Sequence, residues 1–159
     1  MARALLLNSI TELGSPSRGK GGGVKSGRRN IVLVEDDRNQ RKLYEHELRE
    51  AGYAVRAFAD ASEALFEVEK ASPDLVILDI SMPGMNGLEA LGKILGVENT
   101  TPVIFNTAYP RFRDNFLSWA ADAYVVKSAD LTELKETVAH VLAESQISSA
   151  ESSARGSEK

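Results

Sequence analysis

The chain has 159 residues, 43% of them hydrophobic and 26% charged, with a net charge of −4 and no cysteine. That length supports one well-cored domain with extensions and excludes two ordinary ones, and the missing cysteines exclude disulfides, zinc–thiolate sites and thiol nucleophiles. No apolar stretch approaches the roughly 20 residues needed to cross a bilayer, so a cytoplasmic domain without membrane insertion is expected.

Residues 1–29 hold six basic side chains (Arg3, Arg18, Lys20, Lys25, Arg28 and Arg29) against Glu12 alone, a local charge of +5 that leaves −9 on residues 30–159. Gly and Ser dominate 14–27 and no apolar periodicity survives there, which predicts a flexible basic arm over 1–28. With no aromatic interleaved among its charges, the arm reads as a solvated leader or a misassigned start codon rather than as a nucleic-acid contact. Gly14-Ser-Pro-Ser-Arg-Gly-Lys20 imitates part of a phosphate-binding loop, but glycines follow the lysine where Ser or Thr and a helix are needed.

The first apolar run leads into Glu35, Asp36 and Asp37, predicting a buried strand over 31–35 with acids at its carboxyl end. Asp37 with Gln40 opens an amphipathic helix that Gly52 suits as a stop. A strand over 54–58 follows, then a second helix opened by Asp60 with Glu63. The next run ends on Asp79 and predicts a strand over 75–79. Behind it Met82-Pro83-Gly84 forms a turn, and Asn86 with Glu89 opens a third helix for which Gly96 suits the stop. A strand over 103–106 precedes Thr107. The fourth helix, expected within 111–120, has no capping pair and should be the least firmly held. A strand over 123–126 precedes Lys127. Asp130 with Glu133 opens the last helix, whose Leu131, Leu134, Val138, Val141 and Leu142 make one buried stripe. Residues 145–159 contain six serines and balanced charge, predicting a disordered tail.

Strands alternating with helices predict an α/β domain with a five-stranded parallel sheet and five helices. Ligands of such sheets gather at the carboxyl ends of the strands, where this chain presents Glu35, Asp36, Asp37, Asp79, Thr107 and Lys127. Clustered carboxylates repel one another unless a divalent cation, a lysine or both share the site. A carboxylate nucleophile, hard oxygen ligands suited to Mg²⁺, a hydroxyl and an ammonium are the parts of a phosphoryl-transfer site. Asp37 is read chiefly as a helix cap. His46 and His140 fall among charged residues and are read as solvated.

Four stretches carry a family resemblance: Ile31-Val-Leu-Val-Glu-Asp-Asp37, Asp74-Leu-Val-Ile-Leu-Asp-Ile-Ser-Met-Pro-Gly-Met-Asn-Gly-Leu-Glu89, Asn106-Thr-Ala108 and Ala123-Tyr-Val-Val-Lys127. In order and spacing they resemble the receiver domain of two-component response regulators, over residues 29–144. The resemblance implies a flavodoxin-like three-layer sandwich with strand order 2-1-3-4-5. It implies Asp79 as phosphoacceptor, Asp36 as direct Mg²⁺ ligand, Glu35 as a ligand acting through water, and the Ser81 backbone carbonyl as a third metal contact. Thr107 matches the switch hydroxyl, Lys127 the phosphate-binding lysine and Tyr124 the switch aromatic. The implied donor is a histidine kinase or phosphotransfer protein. A downstream protein would meet the face of fourth helix, fifth strand and fifth helix. No enzymatic activity is implied beyond self-catalysed phosphotransfer and dephosphorylation. With only about fifteen residues after the last helix, a stand-alone, chemotaxis-regulator-like receiver is expected.

Two departures bear on geometry and on the lifetime of the phosphorylated state. Ser128 stands where the family usually has a proline, often behind a cis peptide, and Ala120 beside Trp119 replaces a small glycine ahead of the fifth strand. Tyr109 is placed to shield a phosphoryl group from water. Competing readings fit less well. A dehalogenase-type phosphatase needs a second aspartate where Ser81 stands, and a flavin carrier would set a phosphate against Glu35, Asp36 and Asp37.

Overall fold

Each predicted apolar run forms a strand. In the computed structural model, which describes residues 27–97, 100–111 and 119–155, these are β1 (Asn30–Val34), β2 (Ala54–Phe58), β3 (Leu75–Leu78), β4 (Val103–Thr107) and β5 (Ala123–Val126). All pairings are parallel and the order is β2-β1-β3-β4-β5, as expected. Every residue of β3 and β4 is buried, because helices cover both faces of the sheet.

Four helices lie among the described residues: α1 (Arg38–Glu50), α2 (Ala61–Ala71), α3 (Gly87–Val97) and α4 (Thr132–Arg155). The helix predicted within 111–120 lies mostly outside the described residues, so α4 is the predicted last helix. The basic arm lies outside them too, apart from Gly27 and Arg28. Alternation along the strands divides the core. Ile31, Leu33, Leu75, Ile77, Ile104 and Val125 pack with Tyr44 and Leu48 of α1 and with Leu134 and Val138 of α4. Val32, Val34, Val76, Leu78, Val103 and Phe105 pack on the other face with α2 and α3. The result is a three-layer sandwich.

Local chemistry sets most of the helix ends. Asp37 Oδ1 accepts from the Gln40 amide at 2.8 Å, Asp60 from Ser62 and Glu63, and Asn86 from Glu89 at 2.9 Å. At the end of α1, Gly52 at φ 101° donates to Arg49 O while Tyr53 donates to Leu48 O, so the glycine supplies the left-handed residue of a Schellman cap. Three expectations need correcting. Gly96 does not stop α3, which runs on to Val97. Asp130 holds the amide and hydroxyl of Thr132 rather than pairing with Glu133, because α4 begins one residue later than a cap at Asp130 would require. And residues 145–155, expected to be disordered, continue α4. Residues 143–155 contain neither Gly nor Pro, and a helix already nucleated by its buried stripe extends at little cost. Ser149 Oγ bonds back to Ser145 O at 2.9 Å, so serine's competing hydrogen bond is made inside the helix.

Candidate functional site

The register brings the acids together. Val34 pairs with Leu78 across β1 and β3, so the next residues, Glu35 and Asp79, leave the sheet side by side, with the Asp79 amide donating to Val34 O at 3.1 Å. Their side chains are almost wholly buried, at 2% and 5% exposure, whereas Asp36 is exposed. Carboxylate oxygens of Glu35, Asp36 and Asp79 all lie within 4.8 Å of one another. Lys127, arriving from the end of β5, sets its Nζ 2.7 Å from Asp79 Oδ2 and 2.6 Å from Glu35 Oε2.

The remaining bonds fix these carboxylates in place. Ser81 N–H donates to Asp79 Oδ1 at 3.1 Å, and Asp37 N–H to Glu35 Oε1 at 3.1 Å. Asp37 itself uses its side chain on the α1 cap. Burial pushes the Glu35 carboxyl above the usual range, and Lys127 opposes that only in part. Burial works against the Lys127 charge as well, but hydrogen bonds to Asp79 and Glu35 outweigh it and hold the ammonium above the ordinary lysine value. Three carboxylates against one ammonium leave an excess of two negative charges, and hard oxygens at this spacing fit a divalent cation such as Mg²⁺.

This balance yields a stability prediction. Glu35 has a folded-state pKa raised above its unfolded value, so its contribution is full at acid pH and is lost as pH rises through the raised value. Lys127→Met removes the group that opposes the rise. The variant should therefore lose stability from pH 5 to pH 8 more steeply than wild type, by about 2 kcal/mol. That is below the roughly 3–5 kcal/mol of an orphaned buried charge, because the carboxyl can take up a proton. Urea unfolding without Mg²⁺ at the two pH values checks this; parallel curves for the two proteins would refute it.

Thr107, Tyr109 and Tyr124 form a second linked group. Thr107 is fully buried at the end of β4, and its carbonyl accepts from the Lys127 amide at 2.8 Å. Thr107 Oγ1 accepts from Tyr109 N–H at 3.4 Å, while the Tyr124 hydroxyl donates to the Tyr109 carbonyl. The Tyr124 ring packs edge-on to Phe105, with centroids 6.2 Å apart. The two residues matched to the family switch are thus joined through the backbone of Tyr109. The Lys127–Ser128 peptide is trans, and Ser128 Oγ accepts from Asp130 N–H at 3.2 Å.

Two supporting residues escaped the sequence reading. Arg41 Nη1 donates to the carbonyls of Glu35 at 2.7 Å and Asp36 at 3.1 Å, clamping the acidic loop from the first turn of α1. Its position six residues after Glu35, on the helix face turned back toward the strand end, was the available signal. Gly87, the first residue of α3, lies against the backbone after Asp79: a Cβ there would stand 2.3 Å from Asp79 O and 2.7 Å from Ile80 Cα. It falls inside the family-matched stretch ending at Glu89, but nothing local in that stretch gives the reason for a glycine, since the demand comes from tertiary approach.

Comparison with known proteins places this geometry in a family. Residues 31–139 match the model of the response regulator receiver domain. Response regulator ArlR of Staphylococcus epidermidis is 36% identical over 115 residues, which is 71% of this chain and 52% of that protein. The chain thus spans about half the length of the curated relatives it matches. Among solved structures, the response regulator TrrA of Thermotoga maritima in complex with Mg²⁺-BeF is 43% identical with a TM-score of 0.69, covering 71% of this chain and 98% of that one. TrrA bound to the histidine kinase ThkA is similar at 44% identity and a TM-score of 0.68, covering 72% and 98%. With the sheet order, the strand-end acids and a family match over most of its length, this chain belongs to the response regulator receiver domains of two-component signalling.

Proposed function

We propose that the chain is a phosphoacceptor whose nucleophile is Asp79, loaded from a phosphohistidine on a sensor histidine kinase or phosphotransfer protein. The observation that carries this reading is Lys127 Nζ bridging Asp79 and Glu35 beside a third carboxylate, a nucleophile with its counter-charges already in place. An Asp79 carboxylate oxygen attacks phosphorus; the P–N bond breaks, and its electron pair stays on the imidazole, which keeps a proton from solvent. Asp36, Asp79 and Glu35, with the Ser81 carbonyl, would hold Mg²⁺, which when bound would supply charge neutralisation at the phosphoryl oxygens. Lys127 follows one phosphoryl oxygen as it arrives, and the Thr107 hydroxyl takes another. Water later attacks phosphorus, releases inorganic phosphate and returns the free carboxylate.

Signalling would follow from the bonds on Tyr109. When Thr107 turns to the phosphoryl group it leaves Tyr109 N–H, and Tyr124, tied to the carbonyl of the same residue, repositions with it. The readout surface is then the face of β5 and α4, and the signal passes to a downstream protein that contacts it there. The complex of TrrA with the kinase ThkA supports a kinase as donor. The test is to incubate the protein with acetyl phosphate and Mg²⁺, seek an acid-stable, base-labile adduct, and map it by mass spectrometry. An adduct on the peptide containing Asp79 is expected. No adduct, or one mapped elsewhere, would sink the assignment.

A further inference from the structure

The loop from Glu35 to Asp37 holds two acids of the site by different means. Glu35 is buried, and its carboxylate is fixed by Lys127 Nζ at 2.6 Å and by the Asp37 amide at 3.1 Å. Asp36 is exposed, and among the described residues no hydrogen bond or ion pair anchors its carboxylate. Its placement is therefore set by the backbone that carries it.

That backbone is braced from α1. Arg41, the fourth residue of the helix, is half-buried, and its side chain runs back toward the helix N-terminus, as helical side chains do. A single guanidinium nitrogen, Nη1, donates to the Glu35 carbonyl at 2.7 Å and to the Asp36 carbonyl at 3.1 Å, bridging the two peptides. The root of the arginine is fixed as well, because its amide donates to Asp37 O at 2.9 Å while Asp37 caps the helix through the Gln40 amide at 2.8 Å. Loop and helix start are locked to each other.

The choice of acceptor is informative. An arginine beside Glu35, Asp36 and Asp37 is expected to pair with a carboxylate, the acceptor that suits its charge and its fork. Among the described residues no ion pair includes Arg41, and its guanidinium goes to carbonyls instead. It thus stiffens the loop while the Asp36 carboxylate stays open to a cation. Its charge by itself acts in the opposite sense, since a guanidinium near the site repels Mg²⁺.

We propose that Arg41 is a positioning residue for the metal site: its bridge between the Glu35 and Asp36 carbonyls holds the Asp36 carboxylate in place for Mg²⁺ and so sets the Mg²⁺ requirement of phosphoryl transfer. This deepens the Asp79 reading and rests on it for the use made of the metal. None of the Arg41 bonds reaches Asp79, Lys127 or Thr107, so the rate at saturating Mg²⁺ does not depend on it.

Wild type, Arg41→Met and Arg41→Lys are compared by calorimetric Mg²⁺ titration without phosphodonor and by acetyl phosphate labelling across Mg²⁺ concentrations, with urea unfolding to confirm that each is folded. Arg41→Met should weaken Mg²⁺ binding about tenfold, the lower end for losing a group that orients a metal ligand, and raise the Mg²⁺ needed for half-maximal labelling by the same factor. Its labelling rate at saturating Mg²⁺ should stay within about twofold of wild type. Arg41→Lys keeps the charge but carries its donor on a shorter stem, and should bind Mg²⁺ about threefold more weakly than wild type, about a third of the Arg41→Met loss. Wild-type affinity in either variant overturns the inference and leaves Arg41 a partner of two carbonyls and nothing more. Tighter binding by Arg41→Met overturns it too, because charge then outweighs position. So does a labelling rate that stays tenfold low at saturating Mg²⁺, which would put Arg41 at work on the nucleophile. A wild type that binds Mg²⁺ but never labels overturns the Asp79 reading and the link to phosphoryl transfer, while the titrations still decide whether Arg41 positions the metal site. Should Arg41→Met fail to fold, the affinity of Arg41→Lys decides by itself.

Discussion

Asp79→Asn should abolish the acetyl phosphate adduct, slowing labelling by on the order of 10³-fold or more, while leaving the fold intact. The amide keeps the shape of the carboxylate and an oxygen that can accept from Ser81 N–H, and Lys127 keeps Glu35 at 2.6 Å, so the sheet end stays assembled. What it lacks is the anionic oxygen that attacks phosphorus. It also lowers the excess charge of the cluster from two to one, since Glu35 and Asp36 then face Lys127 alone. Mg²⁺ affinity should fall about tenfold with it, as one hard anionic ligand is lost. Labelling kinetics read the first effect and calorimetric titration of Mg²⁺ the second. An Asp79→Asn variant that labels like wild type would move the phosphoacceptor to Asp36 or Glu35. Unchanged Mg²⁺ affinity would instead remove Asp79 from the metal site while leaving it as nucleophile.

How far the sequence foretold these features depends on the range of the interaction. Strands announced themselves because a buried parallel strand must be apolar on both faces, and β3 and β4 are. Asp37, Asp60 and Asn86 were legible as caps because a cap and its amide are three residues apart or fewer. The charged site was legible for a related reason: acids at strand ends repel, so Lys127 had an identifiable purpose before its distances were known. The strand order came with the family resemblance, not from any run of residues. Features made by tertiary approach were not legible. Arg41 reads as one more helix-surface cation until its guanidinium is seen on the carbonyls of Glu35 and Asp36. Serine content hides the length of α4 because it describes an isolated peptide, and here the buried turns around Val138 and Leu142 nucleate the helix.

Gly87 carries the other large expected effect. Helix α3 begins against the loop that follows the nucleophile, with Gly87 N–H bonded to Ile80 O at 2.9 Å. A methyl group at Gly87 would meet Asp79 O at 2.3 Å, Ile80 Cα at 2.7 Å and Asp79 C at 2.9 Å. All three are backbone atoms, so no rotamer change relieves the contact; either α3 retreats or the Asp79–Ile80 peptide moves. Both responses displace the Asp79 carboxylate from Lys127 and the Ser81 amide. Gly87→Ala should therefore cost about 3 kcal/mol, at the upper end for overpacking, and slow labelling about 10²-fold, the penalty of a misplacement near 1 Å. Gly92, in the same helix with nothing within 4 Å of its Cβ position, supplies the control. Gly92→Ala should stabilise the protein by about 0.5–1 kcal/mol through helix propensity and label at the wild-type rate. Urea unfolding and labelling kinetics on both variants separate the two effects. If Gly87→Ala labels as fast as Gly92→Ala, the nucleophile does not depend on the close approach of α3, and the loop after β3 is held by other contacts.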